Sequence, residues 1–204
     1  MSEQTQRALV EAILRRARSF EWSLQGMGML RLHMKNNVRL HVWDSRYRVP
    51  GVSMIHDHLQ WGLESTVIAG RLVNRRYMIS SDAVTNLVAP DVYQYTVLKP
   101  GYGCYHKTEP RTVRLVALRP EVIEAGMVYA QHPDEIHETD AEDGTVTVMQ
   151  KLPTQDDSAR VFWRYGTTWG SAEPRPATED EVFDITTNAL AKWFDEVSSE
   201  AKPK

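Results

Sequence analysis

Two histidines one residue apart, His56 and His58, lie in the run GVSMIHDHLQWGLESTVIAG from Gly51 to Gly70. On an extended strand, residues two apart share a face and sit about 6.6 Å from each other along the backbone. Two imidazoles at that spacing can converge on one ion. Val52 and Met54 have the same parity, so the spacing predicts that both histidines project into an apolar interior. A buried imidazole without a partner is costly, and a metal ion is one way to satisfy it. Two surface histidines on an edge strand are the other reading of His-x-His alone. Gly70, twelve residues after His58, and a further histidine, His137, near a distant turn favour the metal.

The elements that must position these side chains are short and mostly extended. From Met29 to about Met149 the chain alternates with period 2, as where Val38, Leu40 and Val42 interleave with Arg39, His41 and Trp43. Asn36-Asn37 reads as a turn and Asp143-Gly144 as a hairpin signal. Further strands are predicted over 51–58, 65–70, 71–79, 94–98, 112–118, 126–131, 145–151 and 160–165. So many short strands suggest a sandwich or barrel over about 29–165 instead of βαβ units. An amphipathic helix is predicted over about 5–20, with Leu9, Ile13, Ala17 and Phe20 on one face. Residues 152–177 read mostly as surface loop. A second helix is predicted over about 178–197, opened by a capping box of Thr178 and Glu181. Its apolar face would carry Phe183, Leu190, Trp193, Phe194 and Val197. The whole chain, 1–204, reads as a single domain.

Composition narrows the function class. Lys plus Arg is 24 and Asp plus Glu is 27, a net charge of −3. That balance gives no electrostatic reason to expect nucleic acid or an anionic membrane. The single cysteine, Cys104, excludes an internal disulfide framework and a thiolate zinc cluster, and suits a reducing compartment. No apolar run approaches the ~18 residues of a membrane span, and the first residues lack the apolar core of a secretory signal. A cytoplasmic protein is expected.

Gly51, His56, His58 and Gly70 resemble the first motif of the cupin superfamily. The run HDHLQWG more specifically resembles the thiol dioxygenase branch, the cysteine and 3-mercaptopropionate dioxygenases. HPDEIHETDAEDGTVTV is similar to the second cupin motif, with His137 as the third ligand. The resemblance covers roughly residues 29–153, and neither helix contributes to it. It implies a mainly β fold: a double-stranded antiparallel β-helix, a jelly-roll-like barrel with the metal inside one mouth. It also implies Fe(II) held by three neutral histidines, His56, His58 and His137, with open positions for a small-molecule substrate and O₂. Cupins are commonly dimers, so a homodimer is implied as well.

Other residues compete for roles at such a site. Many cupins place a Glu five residues after the second histidine. Here that position is Leu63, and Glu64 comes one residue late. One step along a strand reverses the facing, unless a bulge at Gly62 corrects it. Glu64 is therefore a candidate ligand or neighbouring group, and an outer-face charge otherwise. His132, five residues before His137, is a candidate in place of it. In the thiol dioxygenases an Arg about 25 residues before the histidine pair grips the substrate carboxylate. Arg31 occupies a similar place, and a guanidinium fork matches a carboxylate bidentately. The family's Ser, His and Tyr relay aligns with Thr147, Met149 and Lys151, so that relay is absent or differently built. The cysteine that some members crosslink to the tyrosine falls at Leu63. His33, His41 and His106 have no partner spacing and read as ordinary histidines.

The expected function is a mononuclear metal enzyme, with Fe(II) and an O₂-dependent dioxygenation of a small carboxylate- or thiol-bearing substrate. A Lewis-acid isomerase, lyase or hydrolase using Zn, Mn or Ni is the alternative, favoured if Glu64 ligates. A non-catalytic cupin that senses a small molecule, its helices serving dimerisation, is a third reading.

Overall fold

The alternating sequence forms fourteen strands among the described residues, which are 2–101, 104–153, 158–169 and 174–200 in this computed structural model. The first seven are β1 (Trp22–Gln25), β2 (Met27–His33), β3 (Val38–Arg48), β4 (Leu63–Ala69), β5 (Arg71–Ile79), β6 (Val92–Gly101) and β7 (Cys104–Lys107). The rest are β8 (Arg111–Ala117), β9 (Glu121–Glu124), β10 (Val128–Gln131), β11 (Ile136–Ala141), β12 (Val146–Lys151), β13 (Ala159–Arg164) and β14 (Arg175–Pro176). Helices α1 (Glu3–Arg15) and α2 (Glu179–Glu200) stand at the two ends. The protein is thus mainly β, built from two antiparallel sheets. One runs β10-β4-β12-β3-β2-β1-β14. The other runs β11-β5-β8-β6-β13, with β7 beside β6 and β9 beside β5.

The first sheet has two different buried faces. Leu30, Leu32, Leu40, Val42 and Val146 pack against Val10, Ile13 and Leu14 of α1 and Val182, Ile185, Ala189 and Trp193 of α2. Each such side chain contributes about 1.5–3 kcal/mol when fully buried. The residues between them, among them Met29, Arg31, Arg39 and His41, line a cavity of about 250 Å³ on the opposite face.

Both helices are rotated or shortened relative to expectation. Helix α1 ends at Arg15, and one 3₁₀ turn follows over Ala17–Ser19. Its buried stripe is Val10, Ile13 and Leu14, continued by Ala17 of the 3₁₀ turn, while Leu9 and, past the turn, Phe20 are exposed. Helix α2 opens on the expected capping box: the Glu181 N–H donates to Thr178 Oγ1 at 3.3 Å, and the Thr178 N–H to the Glu181 carboxylate at 2.9 Å. It buries Val182, Ile185, Ala189 and Trp193, with Phe183 and Phe194 exposed. Arg18 covers the Phe183 ring at 4.4 Å and Arg15 the Phe194 ring at 5.1 Å. The side chain of Val197 lies outside the described residues, as does that of Cys104.

Three turns decide how the strands are distributed. Asn36 and Asn37 adopt φ of 59° and 60°, and the Met34 N–H donates to the Val38 carbonyl at 2.9 Å, closing the expected turn between β2 and β3. Asp143-Gly144 does not make a hairpin of paired strands. β11 pairs with β5 and β12 with β3 and β4, so this turn carries the chain from one sheet to the other. Gly70 does the same between β4 and β5. Its φ is +75°, and a Cβ there would lie 2.9 Å from Thr145 Cα, so the two crossings press together where only glycine fits. Residues 51–58 are not a strand either; they hold single bridges instead of a ladder. Strands β1, β7, β9, β11 and β14 have no counterpart among the predicted ones.

Candidate metal centre

The segment over 53–59 lies between β11 and β13, the two edge strands of the second sheet. On one side the His56 N–H donates to the His137 carbonyl at 2.9 Å, and the His137 N–H returns a bond to His56 at 2.8 Å. On the other side the Asp57 N–H donates to the Arg160 carbonyl at 3.0 Å, and the Phe162 N–H to the Ile55 carbonyl at 2.9 Å. The segment therefore joins both edges of the sheet. Its histidines come to lie beside His137 at the start of β11.

Asp57 holds this segment in place. Its opposite parity points it away from the two histidines, and it is 0% exposed. One carboxylate oxygen accepts the Arg160 backbone N–H at 2.8 Å; the other accepts Nε at 2.6 Å and Nη2 at 2.5 Å. Charge-assisted bonds of this kind are about twice as strong as neutral ones. Sequence reasoning missed this pair, because nothing local links Asp57 to a partner so distant in the chain.

The ligand atoms of His56, His58 and His137 all lie within 4.8 Å of one another, so the three can bind a metal ion. Ring centroids are 5.0 Å apart for His56 and His58, 4.4 Å for His56 and His137, and 5.4 Å for His58 and His137. The Nδ1–H of His56 donates to the Met54 carbonyl at 2.9 Å, and that of His137 to the Glu135 carbonyl at 2.8 Å. These bonds fix the tautomer and leave Nε2 of both rings as the donor atom. His58 stacks on Trp61 with centroids 3.6 Å apart. Burial holds all three imidazoles below their ordinary range. For His58, the neighbouring His56, His137, Arg39 and Lys151 push the same way. All three are thus neutral near pH 7, the form a metal requires. Neutral nitrogen donors on a cavity wall fit a divalent transition metal.

The cavity brings Arg31 to the same space as the three histidines. Arg31 is half-buried on β2, and its Nε–H donates to Ser23 Oγ at 3.3 Å. The other two ligand candidates fall elsewhere. Glu64 is exposed, while its neighbour Leu63 lines the cavity. β4 alternates regularly from Leu63 to Thr66 against both β10 and β12, so no bulge at Gly62 turns Glu64 inward. His132 is exposed too, five residues and hence opposite in parity from His137, and its N–H donates to the Glu135 carboxylate at 2.9 Å.

His41 is the histidine that spacing did not single out. It lines the cavity, is 7% exposed, and its Nδ1 lies 3.4 Å from Thr147 Oγ1. Met149 and Leu63 make that part of the wall apolar, and Lys151 is buried with Nζ 4.8 Å from the Trp61 ring centroid. No helix among the described residues is long and apolar enough to cross a membrane. No protein-family model matches the chain, and no curated protein matches it in sequence.

Proposed function

We propose that the chain is a cupin of the double-stranded β-helix type whose His56, His58 and His137 hold one divalent transition metal. Fe(II) is the first choice, with Zn, Mn or Ni behind it. The activity we assign is an O₂-dependent dioxygenation of a small carboxylate- or thiol-bearing substrate in the cytoplasm. One observation carries this reading: three neutral imidazoles converge to within 4.8 Å on the wall of a cavity large enough for a small molecule. Bound Fe(II) would supply the redox chemistry that O₂ activation needs.

The chain's own residues do the positioning. The Met54 and Glu135 carbonyls orient two of the ligand rings. Trp61 stacks on one face of the third. Arg31, on the opposing sheet, would orient a substrate carboxylate. Leu63 and Met149 leave an apolar wall for the substrate's carbon skeleton. The Lewis-acid alternative drew on Glu64 as a fourth ligand, and Glu64 is exposed outside the cavity. The sensing alternative drew on helices available for dimerisation, and both helices have their apolar stripes packed on the first sheet.

Metal analysis of the purified protein, then anaerobic loading with Fe(II) and oxygen-uptake measurements across a panel of small thiols and carboxylates, tests the assignment. About one metal per chain and substrate-dependent O₂ consumption are expected. Metal binding without O₂ consumption on any substrate would move the Lewis-acid reading ahead, and absence of metal binding would sink both.

A further inference from the structure

We propose that the β1–β3 end of the cavity is a recognition subsite for an uncharged group that both donates and accepts hydrogen bonds, a hydroxyl or a carboxamide. It lies in the same cavity as the function proposed above, rests on that reading for the substrate carboxylate, and names a second polar group of that substrate. Gln25 stands opposite Met29 in the β1–β2 ladder, and Met29 opposite Trp43 in the β2–β3 ladder. The three side chains therefore form one row across the sheet, and all of them line the cavity. His41, two residues before Trp43, shares their face. Its ring centroid lies 6.3 Å from that of Trp43, edge to face.

Three polar atoms of this group are buried and have no hydrogen-bond partner among the described residues: Gln25 Oε1, His41 Nε2 and Trp43 Nε1. His41 and Trp43 are each 7% exposed. Thr147 Oγ1 engages only Nδ1 of His41, at 3.4 Å. Buried polar atoms are nearly always paired, and one left unpaired costs free energy that a bound group recovers. Three gathered on one cavity wall point to a ligand. Their types select its chemistry. An indole N–H only donates and an amide oxygen only accepts, while Nε2 of a neutral imidazole does one or the other with its tautomer. A carboxylate, which only accepts, leaves Gln25 Oε1 unanswered, and an ammonium, which only donates, leaves the Trp43 N–H. A hydroxyl or a carboxamide answers both. Met29, between Gln25 and Trp43 in the row, is 5% exposed, and its flexible side chain yields to a guest. The row lies next to the Arg31–His41 pair of the same ladder, about 6.6 Å along the strands, a step that a four-carbon substrate spans from its carboxylate.

Calorimetric titration tests the subsite, with succinamate and 4-hydroxybutyrate set against their apolar isosteres, 4-methylpentanoate and pentanoate. All four carry the same carboxylate, so the ratio within each pair reads the uncharged end alone. At least one polar probe is expected to bind about tenfold or more tighter than its isostere, because the isostere leaves the buried polar atoms unpaired. The pair with the larger ratio tells carboxamide from hydroxyl. Gln25→Leu and Trp43→Phe should each shrink that ratio about tenfold. Gln25→Leu should also melt no lower than the wild type, since it removes an unpaired oxygen and breaks no bond. If Trp43→Phe does not fold, Gln25→Leu decides alone. Equal affinity within both pairs, or no binding by either polar probe, would overturn the proposal, as would an unchanged ratio or a lowered melting temperature in Gln25→Leu. The same titrations after chelator treatment separate this from the metal reading. A preference that survives chelation stands even if that reading fails, and full metal content with no preference in either pair sinks only the subsite.

Discussion

His56 and His137 are joined twice through the backbone, each N–H donating to the other's carbonyl at 2.9 and 2.8 Å, and their rings stand 4.4 Å apart. The spacing of these two rings is therefore set by the closure of the second sheet. A site held this way is preorganised on rigid backbone, with little side-chain freedom left to lose on binding.

Metal content should follow the three histidines and nothing else. His56→Ala and His58→Ala should each reduce bound transition metal from about one per chain to a trace, measured by plasma mass spectrometry. His33→Ala, His41→Ala, His132→Ala and Glu64→Gln should retain it, since none of the four is in the converging group. Stoichiometric metal in a double variant of His56 and His58 would refute the centre.

The Asp57–Arg160 pair should be asymmetric. Removing Arg160 leaves a carboxylate with no exposure and no countercharge, so Arg160→Ala should cost about 3–5 kcal/mol. Removing Asp57 leaves a guanidinium that is 18% exposed and able to reach water, so Asp57→Ala should cost less, about 1–3 kcal/mol. Urea denaturation of both variants reads the difference, and equal losses would contradict it.

Stability of the metal-free protein should fall with acid. Burial first, then Arg31 and Arg39, holds His41 well below its ordinary value of 6.5 in the folded chain. The unfolded chain takes up that proton near 6.5, so below this pH it binds more protons than the native state. Stability is full above 6.5 and declines as pH drops toward the folded value, by about 1.4 kcal/mol per pH unit for this group. His41→Gln should flatten part of the decline below pH 6.5. Identical pH slopes for variant and wild type in chelator would show that His41 is protonated normally.

Arg31→Ala should raise the apparent KM for an acidic substrate roughly ten- to hundredfold, about 1.5–3 kcal/mol, without changing metal content. Arg31→Lys should restore only part, because an ammonium lacks the planar fork. Normal turnover of a carboxylate substrate by Arg31→Ala would remove the clamp.

The alternation Arg39-Leu40-His41-Val42-Trp43 by itself determines that Leu40 and Val42 share one face and the other three the opposite face. It cannot say which face is inside. Period-2 patterning ordinarily separates core from solvent, but here both faces are covered: the helices take the leucine and valine, and the cavity takes the arginine, histidine and tryptophan. Local chemistry likewise determines the start of α2, since the Thr178–Glu181 capping box acts within one turn, and the β2–β3 turn at Asn36-Asn37. It also marks a reversal at Asp143-Gly144, but turn geometry does not choose strand partners, and β11 and β12 part into different sheets. Spacing puts His56 and His58 on one side of the chain. Bringing His137 to them is a long-range event, carried by the backbone pairing at β11 and by Asp57 gripping Arg160 from 103 residues away. The three histidines were legible in the sequence; their convergence belongs to the closed sheet, because backbone hydrogen bonds between distant segments leave no local signature.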